Sequence, residues 1–264
     1  LVAEGAFVLD VRTPQEYDEL GHVPGARLLP SDLVACAPAI LPEDGRAIVV
    51  CCEHGIRSRH AAAFLARAGV TGVVNMAGGM SRWTGAREHG PGPIDGPSSW
   101  LLSNADLLPR RARALDVACG RGRHALLLAG AGFRVDAVDR DEARVAALAR
   151  VAERLGLPVE ARVRDLETGE VSLGDEGYDV VLVFHYLHRP LFPALVRALA
   201  PGGLLLYETF TTAQAARGKP TNPDFLLEPG ELVRRVGPLE VLRQREGDFE
   251  GRMVASVAAR KAEP

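Results

Sequence analysis

Short apolar runs alternate along the chain with longer stretches in which Ala, Leu and Arg recur at helical spacing. Each run is brief and bounded by turn residues, as buried strands are. The runs occupy residues 6–11, 47–52, 72–76, 114–119, 134–139, 178–184 and 203–210. Helical patterns such as 57–69 and 141–156 lie between them. Strands that alternate with helices are typical of parallel sheets, so the pattern predicts the α/β fold class.

One segment interrupts this rhythm. The stretch GAREHGPGPIDGPSS, residues 85–99, is dense in Gly and Pro and has no periodicity, which is typical of a linker. We therefore predict a small first domain at 1–88, a linker at 89–96 and a second domain at 97–264. A chain of 264 residues is long enough for two domains that each bury a core.

Composition narrows the class of protein. The formal net charge is -3 and no large basic patch is present, so we expect no nucleic-acid partner. No apolar run approaches the ~18 residues that cross a bilayer. The first residues carry no basic leader, so we expect a cytoplasmic protein without a membrane partner. Four cysteines show neither a disulfide framework nor zinc-ligand spacing, and we predict no metal site.

The turn CCEHGIRS at 51–58 joins a predicted strand to a predicted helix. The first N–H groups of a helix lack partners inside it and favour an anion. Such a setting lowers the pKa of a thiol from its usual value of about 8.5 and makes it nucleophilic. Gly55 lets the loop curl, and Arg57 supplies a cation. Cys52 is therefore the candidate nucleophile, whereas strand alternation sends Cys51 to the opposite, packed side.

Three motifs in this part of the chain resemble the single-domain rhodanese-like sulfurtransferases. Residues 9–30 are similar to the opening pattern, CEHGIRS at 52–58 to the active loop Cys-x-x-Gly-x-Arg-Ser, and MAGGMSRW at 76–83 to the closing pattern. The resemblance implies that Cys52 carries a persulfide, with Arg57 and the loop amides stabilising the charged sulfur. It also implies a sulfur donor and a sulfur acceptor as partners.

The length and charge of the loop narrow its chemistry. Cys52 and Arg57 are spaced as Cys-x4-Arg, one residue shorter than in related phosphatase loops, and the shorter loop fits sulfur better than phosphate. Glu53 would repel a dianion, so we expect a sulfur donor other than thiosulfate. The alternative is a domain that only docks a partner or senses oxidants. Four further polar residues are expected to be structural or solvent-facing: Asp10, Arg12, His54 and His60.

A second predicted strand-to-helix turn, LDVACGRGRHALLLA, begins at Leu115. Gly120 and Gly122 would let the backbone approach a ligand at the start of a helix near His124. Asp139 ends the next strand and could accept two hydrogen bonds from ribose hydroxyls. These residues alone also fit the looser dinucleotide-binding fingerprint of an oxidoreductase.

Three further features favour a different cofactor. Asp116 lies on the strand before the glycines, Asp165 follows a third strand-like run, and a Pro-Gly-Gly turn in LAPGGLLLYETF, residues 199–210, leads into the strand run at 203–210. Together they resemble the class I S-adenosylmethionine-dependent methyltransferases over about residues 97–260. The segment ACGRGRHALLLA is similar in sequence to the corresponding segment of tellurite-resistance-like methyltransferases. The resemblance implies a Rossmann-like sheet that ends in an antiparallel hairpin, with S-adenosylmethionine as cofactor.

The same resemblance assigns cofactor roles to named residues. Gly120, Arg121 and Gly122 would line the methionine moiety, Asp139 would hold the ribose, and Asp165 would hold the adenine edge with Leu166 beside it. Asp116 would orient the glycine loop or reach the ammonium group of the cofactor. Trp100 would either cover the cofactor or pack as a core aromatic.

A small-molecule methyl acceptor is expected beyond the strand at 178–184. His185 follows that strand and is the candidate for orienting or deprotonating the acceptor. Because the sulfonium is already activated, alignment supplies much of the rate. The other expected wall residues are Tyr186, His188, Tyr207, Glu208 and the loop 211–231.

The sequence thus predicts a bifunctional enzyme in which a persulfide-forming module is fused to a small-molecule methyltransferase. Methylation of a sulfur, selenium or tellurium species handled by the Cys52 site is a further hypothesis. Two alternatives stay open: a methyltransferase whose first domain only docks or senses, and a ligand-binding regulator with neither activity.

Overall fold

The computed structural model describes residues 1–92, 96–168, 173 and 177–263. The chain divides into two compact units, Leu1–Pro97 with Arg150–Leu157, and Ser98–Ala149 with Pro158–Pro264. Each unit contains its own β-sheet. The predicted linker at 89–96 lies partly outside the described residues, at 93–95.

The sheet of the first unit has four parallel strands in the order β2-β1-β3-β4. They are β1 (Phe7–Asp10), β2 (Arg27–Leu28), β3 (Ile48–Cys51) and β4 (Val73–Asn75). Strand β3 is central and all its residues are buried. Since β1 and β3 are parallel, their carboxyl ends lie side by side, with Asp10 opposite Cys51.

Short helices connect these strands. They are α1 (Pro14–Glu19), α2 (Ala37–Ile40) and α3 (Ile56–Arg67), with 3-10 turns at Val2–Glu4, Ser31–Cys36 and Met80–Arg82. Helix α1 begins with a capping box, in which Thr13 and Glu16 each accept a hydrogen bond from the other's backbone N–H. Both Cys51 and Met80 belong to the core cluster beneath the sheet.

The sheet of the second unit has seven strands in the order β10-β11-β9-β8-β5-β6-β7. They are β5 (Arg113–Val117), β6 (Arg134–Asp139), β7 (Val159–Val163), β8 (Tyr178–Phe184), β9 (Leu199–Phe210), β10 (Glu240–Phe249) and β11 (Arg252–Arg260). Strands β5 to β9 are parallel, and β11 pairs antiparallel with both β9 and β10. The strand order reverses between β5 and β8, which is where ligands bind in open α/β sheets.

Within the described residues of this unit, five helices accompany the sheet. They are α4 (Ser99–Ser103), α5 (Arg123–Gly130), α6 (Glu142–Leu155), α7 (Phe192–Ala198) and α8 (Glu231–Arg235). Shorter 3-10 turns lie at Ala105–Leu107, Arg189–Leu191, Thr212–Ala216 and Pro223–Phe225. The core is built on β8, whose residues Val180, Val181, Leu182 and Val183 are fully buried.

The predicted α/β class and the closing antiparallel hairpin are confirmed. Among the described residues, four strands lie outside the seven apolar runs: β2, β7, β10 and β11, of which the resemblance predicted the last two as the hairpin. Strand β2 is only two residues long, so it has no periodicity to detect. Strand β7 lies at the edge of its sheet and is largely exposed, so its sequence VEARV contains no apolar run.

In the described part of the chain, no helix combines the length and the apolar composition needed to cross a bilayer. The same residues hold no group of three or more His, Cys, Asp and Glu side chains placed to bind a metal ion.

Candidate active sites

Cys52 lies one residue beyond β3, in the loop that leads into α3. Its sulfur accepts hydrogen bonds from the N–H groups of Gly55 at 3.1 Å and Ser58 at 3.3 Å. The Ser58 hydroxyl is also 3.3 Å from Sγ. Although Cys52 is only 1% exposed, polar donors surround its sulfur. The start of α3 therefore offers the anion-binding amides that the sequence predicted.

The two neighbouring thiols have opposite environments. Burial by itself would raise the pKa of Cys52, but hydrogen bonds from Ser58, His54 and Gly55 bring it below the usual value for a thiol. Burial, followed by the charge of Asp10, raises the pKa of Cys51 well above that value. Cys52 is thus suited to be a thiolate, and Cys51 packs as a neutral side chain in the core.

The closing motif of the first unit supports the Cys52 loop through backbone contacts. The N–H of Met80 donates to the carbonyl oxygen of Cys52 at 2.9 Å, and that of Ser81 to the carbonyl of Glu53 at 2.9 Å. Gly79 has a φ of +63°, and a Cβ there would lie 2.2 Å from the Cys52 carbonyl oxygen. The motif needs glycine at this position because the two loops meet backbone to backbone.

Arg57 is held by a carboxylate that no sequence motif indicated. Its guanidinium makes a two-point ion pair with Glu16, one nitrogen lying 2.8 Å from Oε2. The hydrogen bond from Arg57 is the main reason that the pKa of Glu16 is lowered to about 2. The charge of Cys52 in turn helps to raise the pKa of Arg57. Arg57 is therefore a cation beside the sulfur, positioned by α1.

Asp10, Arg12 and Glu53 form a charged triad beneath the loop. Arg12 is fully buried and lies 2.8 Å from an oxygen of Asp10 and 2.9 Å from one of Glu53. It also donates to the carbonyl of Gly21. The expected structural role of Asp10 and Arg12 is thus visible in their contacts. One guanidinium serves two carboxylates, so the triad keeps a formal negative charge, and the repulsion of a dianionic donor stays a prediction.

In the second unit, Asp139 holds the glycine turn after β5. Its Oδ2 accepts the N–H of Gly120 at 2.7 Å and its Oδ1 that of Asp141 at 2.9 Å. A carboxylate has about four lone-pair sites, so Asp139 keeps acceptor capacity for a ligand. A Cβ at Gly120 would meet only the end of Arg144 at 4.0 Å, so the backbone there is open. Arg121, next in the turn, is half-buried.

Packing against a neighbouring helix requires glycine at position 122, whereas the space around Gly120 is open. A Cβ at Gly122 would lie 2.5 Å from a methyl of Leu148, and the residue has a φ of +78°. This glycine therefore lets the start of α5 pack closely against α6.

Asp116 fixes the first turn of α5. It is 1% exposed, and its Oδ2 accepts the N–H of Ala125 at 3.1 Å. Burial raises the pKa of Asp116 to about 7. A cationic ligand group nearby would favour the ionised carboxylate. Burial also raises the pKa of Cys119 in the same turn, which agrees with a packing role for that thiol.

The turns after β6, β7 and β8 lie close together. Asp165 is exposed and accepts the N–H of Glu167 at 2.9 Å, while Leu166 is buried in the core. Arg140 reaches Glu167 at 3.4 Å. Burial, followed by the charges of Glu167 and Asp165, raises the pKa of Tyr186. Asp165 and Leu166 are thereby placed at the same sheet edge as Asp139.

His185 follows β8 in a strained, left-handed conformation with a φ of 57°. Its N–H donates to the carbonyl of Glu208 at 2.8 Å, and its ring stacks on Phe210 with centroids 4.9 Å apart. Burial, followed by the charges of Arg123 and Arg252, lowers the pKa of His185 to about 4. The imidazole is therefore neutral near pH 7, in positively charged surroundings.

Two expected acceptor-wall residues are instead committed to buried contacts. The Glu208 carboxylate is 4% exposed and accepts from Ser98 at 2.7 Å, Ser256 at 2.6 Å and Arg245 at 2.8 Å. The Tyr207 hydroxyl donates to the carbonyl of Tyr186 at 2.8 Å. Both side chains thus make contacts within the second unit, and their place in an acceptor wall stays a prediction.

Trp100 lies on α4 and is 5% exposed. Its indole N–H donates to the carbonyl of Val257 at 3.1 Å, and the guanidinium of Arg245 lies 4.9 Å from its ring centroid. Of the two sequence interpretations, this geometry favours the core aromatic. The role of Trp100 as a cofactor cover gains no support from these contacts.

The segment 211–231 is anchored by Arg189, at the start of the 3-10 turn before α7. Arg189 pairs with Glu231 at 2.8 Å and donates to the carbonyls of Asp224 and Leu226. The hydrogen bond from Arg189 is the main cause that lowers the pKa of Glu231 to about 2. The long loop is thus tied to the turn that follows His185.

Comparison with known proteins assigns both halves. A family model for the rhodanese-like domain matches residues 1–86, and one for a methyltransferase domain matches residues 114–203. The thiosulfate sulfurtransferase GlpE of Pseudomonas entomophila is 41% identical over 83 residues, which are 31% of this chain and 74% of that protein. The chain belongs to the rhodanese-like family. It contains a methyltransferase domain as well, as the sequence predicted.

Other relatives are larger or more distant. The probable adenylyltransferase/sulfurtransferase MoeZ of Mycobacterium tuberculosis is 37% identical over 78 residues, and the chain spans only 19% of its length. The structure of TehB from Haemophilus influenzae shares the fold with a TM-score of 0.51 at 20% identity, over 69% of this chain and 65% of TehB. An S-adenosylmethionine-dependent methyltransferase from Mesorhizobium loti gives 0.51 at 16% identity, over 62% and 98%.

Several residues of the rhodanese-like site have no clear sequence signal. The Thr-x-x-Glu pattern of the capping box could have placed Glu16 at a helix start. Nothing in it shows that Glu16 faces Arg57, which lies 41 positions further along the chain. Ser58 closes the loop motif, but the motif gives it no role of its own, and Asn75 belongs to no motif.

We predict that Gly79→Ala destabilises the rhodanese-like unit by roughly 2–4 kcal/mol, because the new Cβ collides with a backbone oxygen and adds left-handed strain. Gly45→Ala is the matched control. Gly45 has a φ of +79°, and a Cβ there would have nothing within 4 Å, so only strain of about 1 kcal/mol applies.

The measurement is urea unfolding followed by fluorine NMR of protein labelled with 5-fluorotryptophan. The chain has two tryptophans, so the Trp83 signal reports on this unit and the Trp100 signal on the other. A Gly79→Ala protein as stable as Gly45→Ala would contradict the proposed backbone collision.

Proposed function

We propose that the chain is a bifunctional enzyme that carries sulfur on Cys52 and transfers a methyl group from S-adenosylmethionine to a small molecule. The observation that carries the first half is the ring of donors around the Cys52 sulfur. The second half is supported by the open backbone at Gly120 and the carboxylate of Asp139 that holds it.

In the sulfur step, the Cys52 thiolate attacks the sulfane sulfur of a donor. A new S–S bond forms to Cys52, and the bond from that sulfur to the rest of the donor breaks, its electron pair leaving with the donor. A nucleophilic acceptor then takes the outer sulfur, and the electron pair of the S–S bond returns to Cys52. The loop amides and Arg57 stabilise the negative charge at each stage.

The residues of the second unit fit S-adenosylmethionine. Gly120 leaves room for close backbone approach, Asp139 has acceptor capacity for a ribose, and Asp116 would gain charge beside an ammonium group. When bound, the cofactor supplies an activated methyl group on a sulfonium. The protein then has to align the acceptor and exclude water.

His185 is suited to orient the acceptor. With a pKa of about 4, its neutral ring is a weak base at pH 7 but a good hydrogen-bond partner. Arg123 and Arg252 lie near enough for their charges to contribute to that shift. These two arginine charges, set against the single carboxylate of Glu208, favour an anionic acceptor, which supports a chalcogen species such as a thiolate or selenolate.

Cys52→Ala should abolish sulfur transfer from an organic persulfide to cyanide, because no other thiol occupies the loop. Cys36→Ala, which removes another buried cysteine of the same unit, is the control. Because the pKa of Cys52 is lowered, the wild-type rate should decline at a lower pH than expected for an ordinary thiol, whose pKa is about 8.5. Wild-type turnover no faster than Cys52→Ala would favour a docking or sensing domain.

Asp139→Ala should weaken binding of S-adenosylhomocysteine at least about tenfold, since hydrogen bonds to a charged group contribute about 1.5–3 kcal/mol each. Asp106→Ala removes an exposed carboxylate of the same unit, paired with Arg243, and should leave the affinity unchanged. Titration calorimetry measures both. No binding heat for the wild type, or equal affinity for Asp139→Ala, would reject the cofactor assignment.

The joint hypothesis is that the methyl acceptor is a sulfur, selenium or tellurium species handled at Cys52. Cys52→Ser should then lower the methylation rate of at least one such acceptor when a persulfide or selenium donor is supplied, with calorimetric affinity for S-adenosylhomocysteine unchanged. Labelled methyl transfer, quantified by mass spectrometry, is the readout. Equal rates for Cys52→Ser and wild type with every chalcogen acceptor would remove this hypothesis.

A further inference from the structure

The hydroxyl of Ser58 lies between two possible partners. It is 3.3 Å from the Cys52 sulfur and 2.7 Å from Oδ1 of Asn75. Ser58 itself is fully buried. Asn75 reaches it because β4 is parallel to β3, with Asn75 opposite Val50 and the Met76 N–H bonded to the Val50 carbonyl. The three side chains form a short line from the nucleophile to the end of β4.

A serine hydroxyl has one proton and can donate it to only one of these partners. With Oδ1 facing Ser58, the proton belongs to the 2.7 Å contact with Asn75. The lone pairs of Ser58 Oγ then face the sulfur. That arrangement suits a protonated Cys52 thiol, which can donate its S–H to Ser58.

The thiolate requires the opposite arrangement. An anionic sulfur needs a donor, so the Ser58 hydroxyl must turn towards Sγ. Oγ then faces Asn75 with a lone pair, and the amide must present its NH2 group instead of Oδ1. An asparagine amide supplies both an acceptor and a donor at nearly the same position after a half-turn of its side chain.

We propose that Asn75 is a positioning residue that acts through Ser58 on the charge state of Cys52. Its carboxamide accepts from Ser58 when the sulfur is a thiol and donates to Ser58 when the sulfur is a thiolate. Ionisation releases the thiol proton to water, and Ser58 and Asn75 keep all of their protons. Only the hydroxyl rotor and the amide change orientation.

Other charged or titratable groups lie around the Cys52 loop, and their contacts do not involve Asn75. They are Arg57 on α3 with its partner Glu16 on α1, Glu53 and His54 in the loop, the Arg12–Asp10 pair after β1, and Cys51 at the end of β3. None of these contacts passes through Asn75, so variants at position 75 leave them in place.

The experiment is a double-mutant cycle on the apparent pKa of Cys52 in the full chain. The rate of alkylation by iodoacetamide is measured against pH, and tandem mass spectrometry separates Cys52 from its neighbour Cys51. Ser58→Ala should raise the apparent pKa by about one unit, since it removes a donor to the thiolate. Asn75→Asp should raise it at least as much, because both oxygens accept and hold the Ser58 proton.

The proposal is tested by whether the pKa shift of Cys52 caused by a change at position 75 depends on Ser58. In a Ser58→Ala background, Asn75→Asp can act only through its charge, so its shift should shrink by about half a unit or more. Val74→Asp, at a position on the same strand that is 40% exposed, is the matched control for added charge and should shift the pKa little. Equal Asn75→Asp shifts in both backgrounds, or a Val74→Asp shift as large as that of Asn75→Asp, would overturn it.

Asn75→Leu repeats the cycle without a new charge and covers the case in which Asn75→Asp does not fold. It should change the apparent pKa of Cys52 when Ser58 is present and leave it unchanged in Ser58→Ala; equal shifts in both would overturn the proposal.

The role inferred for Asn75 rests on the proposed sulfur transfer, but its test measures alkylation of Cys52, which needs no sulfur donor. Coupled pKa values without sulfur transfer would reject that function alone. Sulfur transfer with additive pKa shifts would reject the role of Asn75 alone.

Discussion

The first N–H groups of an α-helix have no partners inside the helix, and both candidate sites depend on what those groups face. At the start of α3 they face the sulfur of Cys52, held at 3.1 and 3.3 Å from two of them. At the start of α5 one of them bonds to the buried Asp116. A parallel strand delivers each of these acceptors to the sheet edge, so the fold itself places charge-bearing side chains against the helix start.

Glycine makes these arrangements possible in two distinct ways. Gly79 lets a second backbone segment lie within hydrogen-bonding distance of the Cys52 loop. A Cβ at this position would collide with a carbonyl oxygen of that loop. Gly120 instead keeps backbone exposed to a ligand, with nothing closer than 4.0 Å to a Cβ. A motif of repeated glycines therefore contains positions that serve packing and positions that serve binding, and only neighbouring atoms distinguish them.

Charges that look independent in the sequence act as linked groups in the structure. The guanidinium of Arg57, beside the Cys52 loop, is paired with Glu16 on α1. Glu53 is not an isolated repulsive charge, because Arg12 contacts it together with Asp10. In the second unit, Arg245 satisfies Glu208 and stacks on Trp100, which connects α4 to strands β9 to β11. The electrostatic environment of either site therefore depends on side chains from several segments of the chain.

The sequence alone determined the α/β class, the two kinds of domain and the positions of the nucleophile loop and the glycine turn. These features are local: an apolar run, a turn residue or a short motif contains the whole signal. The tertiary structure decided which side chains complete each site. Ser58 contacts Cys52, Glu16 holds Arg57 and Asn75 contacts Ser58, each from a different segment, while Glu208 and Trp100 are buried. Those outcomes depend on strand order and side-chain packing between distant segments, and no local pattern encodes that packing.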